Sequence, residues 1–271
     1  MLGDARANAA AAVAILNRDG KGPVVLICEH ASNFIPLNYE RLGVSMADLQ
    51  RHIAWDIGAL GLSEQLSALL DAPLVFATHS RLLLDLNRDP SAPDSIVTES
   101  ENIAVPGNRD LPDAERQHRA DWLYRPFHAE IDALIDERLG QGLPTAVISI
   151  HSFTPVYLGV PRPWQIGVIS REDRRLSDRI LHALARDESL SVGDNQPYTP
   201  AQRVYHSIER HAEQRGLPGA MIEVRNDQIE SRIGQMQWAG RLAHDFRVAL
   251  DGFFSNAALP ARRLSIDTVN H

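Results

Sequence analysis

Three short apolar runs constrain this chain more than any other feature, because each ends on a polar side chain able to bind a metal or move a proton. Val24-Val25-Leu26-Ile27-Cys28 leads into Glu29-His30, Ala146-Val147-Ile148-Ser149-Ile150 into His151-Ser152, and Ala220-Met221-Ile222 into Glu223-Val224-Arg225. Continuous β-branched runs of this length read as strands buried on both faces. In an open α/β sheet, ligands occupy the crevice beyond the carboxyl ends of the strands. Two histidines and a glutamate delivered to one such edge would make a small hydrolytic metal site.

Patterns along the chain fit that sheet. Further strands are predicted at Leu74–Thr78 and Gln165–Ser170, with helices near 46–70, 113–139, 173–185, 203–215 and 229–254. Alternation of this kind predicts one α/β domain, a mainly parallel or mixed central sheet covered by helices. Residues 1–20 read as an arm or surface helix, 21–255 as the domain and 256–271 as a tail. The turn-rich segment Asp89–Pro112 is long for a plain connection and reads as functional.

Composition narrows the partners. A formal net charge of -8 argues against nucleic acid and anionic membranes, both of which call for a basic surface. No membrane-length apolar run and no basic leader precedes the alanine-rich N-terminus, so the expectation is a cytoplasmic protein acting on a small molecule. Oligomeric state is not legible. The single cysteine, Cys28, lies inside an apolar run and reads as a buried thiol rather than a nucleophile.

A hydrolytic zinc site takes about three imidazole or carboxylate ligands, an open position for water and a general base. His30 and His151 are each the first polar residue after a strand that can face the crevice. Glu29 neighbours His30, and strand neighbours point to opposite faces unless the strand has already broken. Asp56, between Trp55 and Gly58, is either the cap of the helix that follows or a ligand at a helix start; the local pattern favours the cap. Arg81, Asp85, Asn87 and Arg88 form a second cluster, read either as a grip on an anionic substrate or as structural ion pairs.

These segments, Cys-Glu-His-Ala-Ser-Asn, Trp-Asp-Ile-Gly-Ala, Ser-Arg-Leu-Leu-Leu-Asp-Leu-Asn-Arg, Ile-His-Ser-Phe-Thr-Pro and Met-Ile-Glu-Val-Arg-Asn-Asp, occur in this order between about Val24 and Phe253. Together they resemble the N-formylglutamate amidohydrolase family, whose fold is similar to those of zinc carboxypeptidases and zinc muramoyl amidases. The resemblance implies Zn2+ or another divalent metal on His30, Asp56 and His151, and so reverses the local reading of Asp56. It also implies Glu223 as catalytic base, His211 as an assisting residue, and Arg81, Asn87, Arg88, Ser152 and Arg225 as substrate-binding residues. The expected reaction is hydrolysis of an N-formyl or similar N-acyl acidic amino acid, in amino-acid catabolism. A zinc peptidase, a muramoyl-type amidase and a non-catalytic anion-binding protein are the alternatives. The chain departs from the carboxypeptidase His-x-x-Glu ligand pair, since Ala31, Ser32 and Asn33 follow His30.

Overall fold

The structure is a computed structural model that describes residues 11–257. Along these residues the strands are β1 (Val13–Leu16), β2 (Val24–Cys28), β3 (Leu74–Ala77), a hairpin of β4 (Glu99–Ser100) and β5 (Ile103–Ala104), and β6 (Ala146–Phe153). A second hairpin of β7 (Val156–Tyr157) and β8 (Val160–Pro161) follows, then β9 (Ile166–Ile169), β10 (Val192–Asp194) and β11 (Gly219–Arg225). The helices are α1 (Met46–Leu49), α2 (Ala59–Leu70), α3 (Asp113–Arg119), α4 (Arg125–Gly140), α5 (Ser177–Leu184), α6 (His206–His211) and α7 (Arg232–Ala257).

Seven strands form one mixed sheet in the order β1-β3-β2-β6-β11-β9-β10. The central strands β3, β2, β6 and β11 run parallel, so their carboxyl ends share one edge. β9 is antiparallel to β11 and parallel to β10. β2 and β6 are buried along their whole length, which explains why they read as continuous apolar runs.

Alternation sorts the core into two layers. Val25, Ile27, Val147 and Met221 pack with Phe127, Ile131 and Leu134 of α4 and Ile208 of α6. Val24, Leu26, Ile148 and Ile222 pack on the other face with Leu62 and Leu66 of α2, Ile180 of α5 and Leu242 and Phe246 of α7. Cys28 is buried in this second layer, as the sequence predicts.

Several local expectations are revised. Residues 13–16 are an edge strand rather than a free arm or helix: β1 pairs antiparallel with β3, from Val13 opposite Ala77 to Leu16 opposite Leu74. Residues 1–10 and, of the expected tail, 258–271 lie outside the described residues. The expected helix over 46–70 splits into α1 and α2, with Asp56 in the non-helical stretch between. The expected helix over 113–139 is interrupted by a π-helical turn, Ala120–Tyr124, that leaves Pro126 in the first turn of α4, where a missing N–H is tolerated.

Candidate active site

β2 ends at Cys28, and Glu29-His30 lie in a turn, so the two neighbours are not held to opposite faces; His30 lines the strand-end cleft and Glu29 contacts His151 Nε2 at 3.1 Å. His151 lies within β6 and Glu223 within β11, in paired positions. Asp56 arrives from the α1–α2 connection, whose backbone is tied to the first strand end: its N–H donates to the His30 carbonyl at 2.9 Å. The helix that follows starts at Gly58, with φ +81, and no side chain caps it. A Cβ on Gly58 would stand 2.1 Å from the Ile229 carbonyl oxygen, so glycine is required twice over. The Asp56 carboxylate is thereby free for the crevice, which corrects the local reading of it as a cap.

The side chains of His30, Asp56 and His151 converge. One ligand atom from each lies within 4.8 Å of the others, and all three residues are buried. His30 Nδ1 is 3.2 Å and His151 Nδ1 2.8 Å from the same oxygen, Asp56 Oδ2. The far nitrogen of each ring is also engaged. His30 Nε2 lies 2.7 Å from Asp85 Oδ1. His151 Nε2 lies 2.7 Å from the Ser149 hydroxyl, which itself donates to Glu29 Oε2 at 2.7 Å. Carboxylates only accept, so without an ion each ring donates from Nδ1 to Asp56 as well as from Nε2 to the acceptor behind it, and both imidazoles are protonated.

Charge follows the geometry. Burial works to raise Glu29, yet the neighbouring His151 draws it down to about 2. Burial and Arg81 press His30 down, but Asp85 and Asp56 outweigh them and raise it. Burial likewise opposes His151, and Glu29 and Asp56 lift it well above the ordinary imidazole value. A divalent cation on the three Nδ1 and Oδ2 donors would displace those imidazole protons. The donor set fits such an ion: two imidazoles and a carboxylate, with each imidazole backed by an acceptor that fixes its tautomer. Glu29, behind His151, belongs to that backing.

Glu223 faces this group and differs from every other carboxylate near it. Burial, reinforced by Asp56 and opposed by His151 and His30, pushes it up to about 7. Its Oε2 is buried and has no hydrogen-bond partner among the described residues. The four side chains open on a cleft of about 300 Å³ that is also lined by Arg81, Asn87, Arg88 and Ser152.

The N-formylglutamate amidohydrolase family matches residues 22–230. The chain belongs to this family. The crystal structure of a gene product of Agrobacterium tumefaciens is similar to this amidohydrolase-family chain at 43% identity and TM-score 0.88, over 90% of this chain and 96% of that one. An N-formylglutamate amidohydrolase from Ralstonia eutropha shares the fold at 21% identity and TM-score 0.67, over 91% of this chain and all of that one. A comparison with curated proteins gives no match. No helix among the described residues of this family member is long and apolar enough to cross a membrane.

The other expected site residues of this amidohydrolase-family chain are distributed unevenly. Arg81 is engaged by Asp56 at 3.4 Å and by Asp85, and Arg88 pairs with Asp94 at 3.3 Å. The Asn87 amide holds the Val204 carbonyl and accepts from Ser207 N–H. Ser152 N–H donates to Asp56 Oδ2 at 3.3 Å, and its hydroxyl to the Ile57 carbonyl. Two expected residues stay out of the cleft. His211 places Nε2 2.7 Å from His128 Nδ1 and Nδ1 2.9 Å from Asp132, and does not line the cleft. Arg225 donates to Asp227 at 2.8 Å and to the carbonyls of Arg162 and Trp164, and does not line it either.

The structure also gives places to residues that the sequence reading named without assigning them a role in the site. Ser149 and Glu29 orient His151, and Asp85 orients His30 while neutralising Arg81. A polar serine inside an otherwise apolar run was the available signal for the first. The segment Asp89–Pro112 supplies Asp94, Val97, Glu99, Ser100 and Glu101 to the cleft wall. Glu101, at the tip of the β4–β5 hairpin, holds Arg51 at 3.0 Å and Leu158 N–H of the β7–β8 hairpin at 3.3 Å. The two hairpins are thus joined by a hydrogen bond at the cleft wall.

Proposed function

We propose that this chain is a metal-dependent hydrolase of N-acyl amides, acting on an N-formyl or similar N-acyl acidic amino acid. The observation that carries the reading is the convergence of His30, Asp56 and His151 donor atoms opposite a buried, unpartnered Glu223. Family membership supports the reaction class. A divalent ion such as Zn2+ held by those three residues would supply Lewis acidity toward water and the acyl carbonyl. Glu223, with a pKa near 7, accepts the proton of the attacking water and hands it to the departing nitrogen. Asp85 and Glu29 hold the two imidazoles in place through their far nitrogens, directly and with Ser149. Arg81, fixed by Asp56 and Asp85, presents its remaining N–H groups to the acyl oxygen, and Arg88 and Asn87 line the substrate's path. His211 supports this cleft from behind, bonded to His128, whose other nitrogen donates to the Leu86 carbonyl next to Asn87.

Metal analysis of the purified protein and an assay for formate release from N-formyl-L-glutamate test the reading. Stoichiometric divalent metal and turnover lost on chelation are the expected results. Full turnover by metal-free protein, or retained turnover after Glu223→Gln, would overturn the mechanism.

A further inference from the structure

Three arginines at or next to the cleft are already answered by acidic side chains: Arg81 by Asp56 and Asp85, Arg88 by Asp94, and Arg225 by Asp227. Arg162 is different. Among the described residues no carboxylate pairs with it; its guanidinium lies 4.7 Å from the ring centroids of both Tyr157 and Tyr198 and 5.9 Å from that of Phe153. Stacking of this kind holds a guanidinium flat and partly dry while leaving N–H groups to donate. One of them does, Nη1 to the Tyr198 hydroxyl at 3.1 Å.

That bond settles what the hydroxyl can do next. The phenol oxygen accepts from Arg162, and its own O–H meets no acceptor among the described residues. Tyr157 and Tyr198 line the cleft. Burial, and after it the charge of Glu223, hold the Tyr198 pKa up to about 12, so the hydroxyl keeps its proton at neutral pH. Two close approaches pin the pair. A Cβ on Gly167 would stand 1.8 Å from the Gln196 carbonyl oxygen, which lets the Tyr198 segment lie against β9. On the other side Arg225 holds the carbonyls of Arg162 and Trp164.

We infer that Tyr198 is a substrate-binding residue whose O–H donates to the α-carboxylate of the N-acyl amino acid, with Arg162 as the positioning residue that aims the hydroxyl and supplies the counter-charge. The assignment of this particular oxygen rests on the amide-hydrolase reading. Glu223 returns a proton to the departing nitrogen, and the α-carboxylate is carried on the carbon next to that nitrogen. Tyr198 lines the same cleft as Glu223, and a donor there is assigned to the α-carboxylate rather than the distal one.

The test is binding to the metal-free protein, measured by calorimetry with N-formyl-L-glutamate and with its α-amide, which lacks only that carboxylate charge. Wild type is expected to prefer the acid by about tenfold or more, the scale of a charge-assisted hydrogen bond. Tyr198→Phe, which removes one oxygen and keeps the ring, and Arg162→Gln are each expected to erase the preference, and Arg162→Lys to recover part of it. No preference in wild type, including no detectable binding of either compound, overturns the inference, as does a preference that survives Tyr198→Phe. The two readings fail separately: a preference for the acid without hydrolysis by the zinc-loaded protein would refute the hydrolase and leave this subsite standing.

Discussion

Glu223 on β11 lies directly across the parallel pairing from His151 on β6. The proposed base and one proposed metal ligand are therefore set relative to each other by a strand ladder rather than by a loop. Rigid elements hold such groups closer to a working geometry than loops do.

That placement carries a cost in stability. Between the ordinary glutamate value of 4.5 and about 7 the unfolded chain gives up the Glu223 proton while the folded chain retains it. The stability is present below pH 4.5 and is lost as pH rises through 7; at about 1.4 kcal/mol per pH unit, the loss reaches about 3 kcal/mol by pH 8. Glu223→Gln should therefore stabilise the metal-free protein at pH 8 and change it little at pH 4.5, while lowering turnover on the order of 10²–10⁴-fold. Urea unfolding at the two pH values reads the first effect; equal changes at both would contradict it.

Asp85 backs His30 from the side opposite Asp56. Asp85→Asn keeps the shape but gives up the carboxylate that fixes the His30 tautomer. Metal affinity should fall about 10–100-fold in competition with a chelator. An unchanged affinity would mean that Asp85 serves Arg81 alone.

His211 bonds through both ring nitrogens on the far side of the cleft wall. Replacing it with asparagine should cost about 1–3 kcal/mol of stability, the scale of a buried polar partner left unsatisfied. The kcat/KM should fall less than about tenfold. A loss of 10²–10⁴-fold with stability intact would instead restore it to the acid–base machinery.

Gly58→Ala would put a Cβ onto the Ile229 carbonyl and demand a left-handed backbone from alanine. The expected loss exceeds about 1 kcal/mol. Because Asp56 stands two residues earlier, metal affinity should weaken with it. Wild-type affinity in a destabilised variant would show that the connection absorbs the strain before reaching Asp56.

The central strands were legible because β2 and β6 are buried on both faces and so carry unbroken apolar sequence. β1 was not: a four-residue edge strand beside an alanine-rich stretch offers no periodicity to read. At the site, His30, His151 and Glu223 could be found from their positions at the ends of apolar runs, since the parallel topology brings those ends together, although β6 and β11 continue past His151 and Glu223. Asp56 could not be decided locally, because its role turns on the Gly58 backbone and on a hydrogen bond to the distant His30 carbonyl. Arg225 lies two residues from Glu223 and so looked like part of the site, yet Asp227 and two carbonyls take its guanidinium. Arg162 and Tyr198 escaped notice for the converse reason: 36 residues apart, they form a unit only when β9 and the loop before α6 are folded together.

The pairing of Val13–Leu16 with β3 bears on how the protein is handled. The family match begins at residue 22, and a clone cut there would look complete. It would strip the outermost strand and leave the β3 backbone as a bare, apolar template on which other chains can add strands. The first residues to preserve in any shortened version are thus ones that touch no part of the cleft.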